Sequence, residues 1–294
     1  SNRDDQAFFD QGILDLKKEK EEFVFEFETS SVLLPIFNRE FSTPVVMQVN
    51  YSLENLTHII QNEKDSFARY EAVRELVERV VFKFIKEETQ EIPSEFFKAF
   101  RGIIEDKNID SYFKAFMLTL PSESEILEKQ EVMNIEKTAL VLDQIKLLLA
   151  KKFHGEFVEL FNKNQIDEEF SPTFDQIGKR LLKNTALSYL STTKENSVKE
   201  NVMAQLKTAK NMTDEIASLQ IMVNYFENEK DNYLESFKEK WKLQKLVIDK
   251  WFQVQAASPS LNTLDVVQGL LKDPLYDNTN PNSVRAVIGQ FSRN

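Results

Sequence analysis

Hydrophobic spacing along the chain changes character near residue 50. Phe23, Phe25 and Phe27 alternate with Val24, Glu26 and Glu28, a period of two that suits a strand with one buried face. Leu33-Leu34-Pro35-Ile36-Phe37 and Pro44-Val45-Val46-Met47-Gln48-Val49 follow, each short and punctuated by proline. Proline lacks a ladder donor, so these segments predict edge strands or strand ends. Three strands cannot easily cover their own apolar faces. Residues 1–50 are therefore expected to be the terminal strands of an incomplete Ig-like β-sandwich whose first strands lie upstream of residue 1.

From Ser52 onward the period is helical. Phe67, Tyr70, Val73, Val77, Val80, Val81 and Phe84 fall mostly at steps of three and four, a stripe that faces a core. Further stripes run from Phe96 to Ile104, Tyr112 to Leu118, Ile135 to Phe161, Phe174 to Leu190, Val202 to Leu206, Ile216 to Phe226, Tyr233 to Phe252 and Leu264 to Leu271. The boundaries carry helix-start chemistry. Ser122 is placed to cap a helix while Glu125 reaches back to its amide. Thr213, followed by Asp214 and Glu215, offers a cap and two acids at a positive helix end. Asn280-Pro281-Asn282 predicts a turn leading into Val284 to Phe291. Only six glycines occur in the chain, too few for the turns of a βαβ fold. The expectation for residues 51–294 is a mainly α domain, a HEAT/ARM-like α-solenoid of stacked helix pairs preceded by the short β-sandwich remnant. Identity between the pairs is too weak to set a repeat period.

Charge narrows the function classes. With 48 acidic against 37 basic side chains the formal net charge is −11. A phosphate-tracking protein or one drawn to an anionic membrane needs a basic face, so neither nucleic acid nor membrane is an expected partner. No apolar run reaches the ~18 residues of a membrane span, and the cytoplasm is the expected compartment. Cysteine is absent, which removes disulfides, thiolate zinc sites and cysteine nucleophiles.

Candidate chemistry is correspondingly thin. Of the two histidines, His58 leads His58-Ile59-Ile60-Gln61-Asn62 and His154 leads His154-Gly155-Glu156-Phe157-Val158. Neither sequence supplies the second imidazole and intervening acid that a helical HExxH zinc site requires. The glycines, at 12, 102, 155, 178, 269 and 289, form neither GxGxxG nor a P-loop, and there is no GxSxG elbow. Acidic groups such as Glu87-Glu88, Asp167-Glu168-Glu169 and Asp214-Glu215 are read as solvated helix ends in so acidic a chain. No catalytic residue and no metal ligand is assigned, and the chain alone is expected to be inactive and to carry no cofactor.

Several stretches nevertheless resemble the bacterial aminopeptidase N family of zinc-dependent gluzincin peptidases. Asp249-Lys250-Trp251-Phe252-Gln253-Val254-Gln255-Ala256-Ala257-Ser258-Pro259 is similar to that family's DKWFxxQAxSP segment. Asn280-Pro281-Asn282-Ser283-Val284-Arg285-Ala286-Val287-Ile288-Gly289-Gln290-Phe291 resembles NPNxxRxxIGxF. Asn211-Met212-Thr213-Asp214 resembles NMTD, Leu120-Pro121-Ser122 with Glu125 resembles LPSxxE, and Phe67 to Ala72 resembles an FxRW/YEA helix opening. Phe23-Val24-Phe25 and Glu40 to Val45 look like the FVF and EFSAPV strands of the family's small β-sandwich. The likeness spans nearly the whole chain in the right order.

The resemblance implies the last strands of that β-sandwich and most of a helical C-terminal domain, cut short at both ends. The family's HExxH, distal glutamate ligand, GxMEN loop, catalytic tyrosine and later GSGY turn have no counterpart here. Zinc would belong to the missing catalytic domain of the parent, which would be this chain's partner within one polypeptide. The helical domain would enclose the active-site chamber, limit access to short peptides, and act in a monomer. Arg285 matches the arginine of NPNxxR, which in the family looks onto the chamber near the substrate's carboxyl side. It is carried over as a substrate-binding residue, against the alternative of an arginine paired with a neighbouring carboxylate near a helix start. Ser283 stands where the family usually has another arginine. Trp251 and Phe252 are expected in the core, and Asp249 and Lys250 are expected to tether neighbouring helices or the absent catalytic domain. The alternative to the whole reading is a stand-alone helical-repeat module that binds a peptide or protein.

Overall fold

The computed structural model describes residues 14, 17–24, 33–86 and 91–293. The chain divides into two units, residues 1–37 and 38–294. In the first, the described residues form bends and irregular chain, with Val24 exposed and the Lys17 amide donating to Glu21 Oε2 at 2.7 Å. The β-sandwich remnant is not visible: among the described residues there is no strand, and Phe25 and Phe27 lie outside them. The physical reason is that a strand exists only by pairing. Pro35 and Pro44 remove ladder donors, and among the described residues no strand pairs with residues 44–49, where Val46 is 92% exposed. Between the two proline segments the chain turns instead. Asn38 and Glu40 take left-handed φ values of 53° and 57°, a short 3-10 turn forms over Arg39–Phe41, and Asn38 Oδ1 accepts from the Thr43 amide at 2.9 Å.

Fourteen α-helices follow among the described residues. They are α1 (Leu53–Asn62), α2 (Ser66–Lys86), α3 (Ser94–Glu105), α4 (Ser111–Leu118), α5 (Glu123–Leu127), α6 (Ile135–Lys152) and α7 (His154–Lys163). The second half comprises α8 (Phe174–Ser191), α9 (Asn196–Thr208), α10 (Met212–Tyr225), α11 (Lys230–Trp241), α12 (Lys245–Ala256), α13 (Thr263–Leu270) and α14 (Pro281–Val284), which continues as a π turn over Arg285–Gly289. None of them is long and apolar enough to cross a membrane.

Apolar stripes dictate how these helices stack. In α2, Ala72, Val73, Leu76, Val77, Val80, Val81 and Phe84 are all buried, the i, i+3, i+4 pattern of one face. That face lies against α6, and the series continues with α6 on α8, α8 on α10 and α10 on α12. The remaining helices flank this ladder: α1 packs on α2 and α3, α4 and α7 on α8, α9 on α10, and α11, α13 and the π turn on α12. The result is the predicted solenoid of paired helices.

Caps account for most of the boundaries. Ser52 with Asn55 and Ser122 with Glu125 form reciprocal capping boxes. At α10 the cap is Asn211 and not Thr213: Asn211 Oδ1 accepts from the Asp214 amide at 2.9 Å, so the helix starts one residue before Thr213. Two of the sequence stripes prove to be pairs of helices. Phe153, fully buried with ψ 31°, ends α6 and opens α7, and its aromatic core position holds the break. Residues 242–244 separate α11 from α12, with Leu243 88% exposed.

A buried polar network ties α8, α9 and α10 together. Lys183 Nζ donates to Asp214 Oδ2 at 2.7 Å, and Asn184 Nδ2 donates to Asp214 Oδ1 at 2.9 Å. Gln205 Nε2 reaches both Asn184 Oδ1 and Ser218 Oγ at 2.8 Å. Paired in this way, the two charges meet the condition under which burial is tolerated.

Candidate functional site

The segment carrying Arg285 is built by its own sequence. Asn280 Oδ1 accepts from the Asn282 amide at 2.9 Å, and Pro281 supplies a pre-set φ at the first helical position. Ala286 and Val287 are fully buried against the α12 core that holds Phe252 and Trp251. Burying those two faces turns Arg285 outward at the first position of the π turn. Its guanidinium is exposed and has no hydrogen bond or ion pair among the described residues, unlike the carboxylate-paired arginine considered from sequence.

Beside this segment α12, the 274–280 loop and α14 enclose a cavity of ≈ 340 Å³. Lys242, Lys245, Asp249, Tyr276, Asp277 and Ser283 are among its lining residues; Arg285 is not. Asp249 is the group of interest on its wall. It is 8% exposed, Ser283 hydrogen-bonds to its carboxyl, and Oδ2 is buried without a partner. Burial pushes this carboxyl above the ordinary aspartate value, with the Ser283 hydrogen bond and the Lys245 charge opposing. Ser283 Oγ also accepts from the Asp277 amide at 3.3 Å, so a small hydroxyl joins loop, α12 and α14. An arginine at 283 would not fit this position, where the residue is 2% exposed. Lys245 Nζ stands 3.8 Å from Asp277 Oδ2 at the mouth. Chemically the cavity can bind and orient polar groups, and no nucleophile is paired with a base in it.

The other singled-out residues take structural places. Trp251 and Phe252 are buried with ring centroids 5.2 Å apart, and Trp251 Nε1 donates to the Leu234 carbonyl at 2.9 Å. Asp249 of α12 and Ser283 of α14 line the same cavity, and Lys250 is exposed. His58 lies on α1 within 3.3 Å of Asn62 Nδ2, and His154 Nε2 opens α7 at 3.4 Å from Glu195 Oε2. Among the described residues no group of three or more His, Cys, Asp or Glu side chains could hold a metal ion. The Asp249–Ser283 pairing was missed by sequence reasoning. Its only signal was Ser283, standing where the resemblance leads one to expect a second arginine beside that of NPNxxR.

A family model described as "Domain of unknown function (DUF3458_C) ARM repeats" matches residues 53–294. Aminopeptidase N of Escherichia coli (strain K12) is 30% identical over 284 residues, 95% of this chain and 32% of that protein. Aminopeptidase N of Caulobacter vibrioides is 28% identical over 255 residues, 86% of this chain and 30% of that protein. A crystal structure of Legionella pneumophila aminopeptidase A in complex with aspartic acid superposes with a TM-score of 0.80 at 28% identity, covering 87% of this chain and 31% of that one. The chain thus spans about a third of the length of the curated relatives it matches, and the matches fit a C-terminal portion of bacterial aminopeptidase N. On its helical architecture and the match across residues 53–294, the chain belongs to the DUF3458_C family of ARM-repeat domains.

Proposed function

We propose that this chain is the non-catalytic C-terminal portion of a zinc-dependent, cytoplasmic aminopeptidase that removes N-terminal residues from peptides. In this reading it packs on the catalytic domain of the same polypeptide, acts in a monomer, encloses the active-site chamber and limits access to short peptides. Zinc resides in the catalytic part. The observation that carries the reading is the likeness of nearly the whole chain to one continuous third of two aminopeptidase N proteins. Two features of the surface support it. Val132, Met133, Ile135 and Leu140 expose 84, 62, 60 and 57% of their areas around the start of α6, an apolar face suited to a packed domain. Arg285 presents a fork of donors with no partner among the described residues, suited to a peptide carboxylate.

The contribution of such a domain is exclusion of water and orientation of substrate, with no bond-making group of its own. The test is a substrate-size series on the full-length gene product, from alanyl dipeptides up to a folded protein with N-terminal alanine. Enclosure predicts turnover of the short peptides and none of the folded protein. Comparable turnover of both would refute the gating role, and absence of any aminopeptidase activity would refute the assignment.

A further inference from the structure

Three successive ladder helices bring Lys146 of α6, Ser188 of α8 and Tyr225 of α10 to one point. Lys146 Nζ donates to Ser188 Oγ at 2.8 Å and to Tyr225 Oη at 3.3 Å. It also lies 6.0 and 5.7 Å from the ring centroids of Tyr189 and Tyr225. All three polar residues are half-buried. Among the described residues no carboxylate comes within ion-pair distance of Lys146.

Hydrogen-bond accounting shows what is missing. An ammonium has three donors, and two are used. Ser188 and Tyr225 each accept from the lysine, which leaves both hydroxyl protons to donate elsewhere, and neither has an acceptor among the described residues. Tyr189 is not available, since its hydroxyl donates to the Leu118 carbonyl at 2.6 Å. Three converging donors and one positive charge thus lack an acceptor. Burial pushes the Lys146 amine down to about 8, with Asp143 opposing.

A simple anion is not the complement, because acids stand beside the donors. Asp143 precedes Lys146 by three residues on α6 and so shares its face. Its carboxyl is pushed up by burial and drawn down by Lys146 and Lys194. Glu123, at the start of α5, is pushed up by burial and then by the Asp143 charge. Tyr225 is raised to about 12, by burial first and by Asp143 second. Neither acid has a hydrogen bond or ion pair among the described residues. The site therefore offers converging donors and a cation, with the Asp143 carboxylate one turn away on the same helix face and Glu123 near enough to feel its charge. Its complement carries a carboxylate and an ammonium close together.

We propose that Lys146, Ser188 and Tyr225, with Asp143 and Glu123 beside them, bind a free α-amino acid, the lysine and hydroxyls taking its carboxylate and the acids its ammonium. The inference is independent of the peptidase proposal, because it is read by binding to this chain and not by turnover. Calorimetric titration at pH 7 compares alanine, N-acetylalanine, which lacks the ammonium, and alaninamide, which lacks the carboxylate. Alanine is expected to bind at least roughly tenfold tighter than either analogue, the scale of one lost charged hydrogen-bonding group. Lys146→Met is expected to abolish binding. The double change Ser188→Ala with Tyr225→Phe removes only the hydroxyls, is expected to weaken binding roughly tenfold, and serves if the lysine variant fails to fold. Absence of alanine binding, equal binding of N-acetylalanine or alaninamide, or full binding by the variants would overturn the proposal.

Discussion

Removing one partner of the Lys183–Asp214 pair tests whether the buried network holds α8, α9 and α10 together. Lys183 is 4% and Asp214 5% exposed, and their charged atoms are 2.7 Å apart. Breaking such a pair from one side costs about 3–5 kcal/mol, because the remaining charge stays buried without its partner. The two sides are not equivalent here. In Lys183→Met, the Asp214 carboxylate keeps donors from Asn184 at 2.9 Å and from the Asn211 side chain at 3.0 Å, which places this variant near the lower end. In Asp214→Ala, Lys183 loses the one side-chain acceptor it is bonded to, and Asn184 and Asn211 lose theirs as well. That variant belongs near the upper end. For a chain of this size, ~3 kcal/mol lowers the melting midpoint by roughly 6–12 °C, and the aspartate variant should fall further. Thermal unfolding followed by circular dichroism at neutral pH measures both. A midpoint within about 2 °C of the parent for either variant, or a larger loss for Lys183→Met than for Asp214→Ala, would refute the reasoning.

Three further outcomes follow from single groups. Tyr189→Phe removes the donor to the Leu118 carbonyl at 2.6 Å and should cost about 1–2 kcal/mol in urea unfolding, with the ring stacking on Phe157 retained. The raised carboxyl of Asp249 means that the folded state binds its proton more tightly than the unfolded chain, so folding loses free energy as pH rises through the unfolded value and then the folded one; Asp249→Asn should therefore melt higher than the parent at pH 7, with the difference closing below about pH 4, and a constant difference at every pH would contradict this. Arg285→Ala touches an exposed, unpaired side chain and should leave the melting midpoint within about 1–2 °C, while in the full-length protein it should raise KM for peptides with a free carboxyl terminus and not for their amides.

The helical part of the fold was legible because its stripes and caps are local. Ser122 with Glu125 and the Asn280-Pro281 turn are written within four residues and appear as expected. The break at Phe153 was not legible, since a buried aromatic continues a helical stripe whether or not the backbone does. The strand expected over 44–49 failed for a related reason: its apolar positions describe a face, but a strand also requires a paired neighbour, and that information is not in the segment. At the candidate site, Arg285 could be placed by its motif, and its lack of a carboxylate partner among the described residues could not. Asp249 and Ser283 lie 34 positions apart in sequence and meet only through the packing of α14 on α12. Lys146 was hidden inside Ile145-Lys146-Leu147, where a lone lysine in an apolar stripe was the sole signal.

The most direct test of the central claim is hydrolysis of an alanyl or leucyl fluorogenic amide by the purified chain, with and without added zinc, alongside the full-length product of the same gene. The account predicts turnover by the full-length protein and none by the chain under either condition. Zinc-dependent turnover by the chain alone would contradict it, for it would require a metal site within these 294 residues.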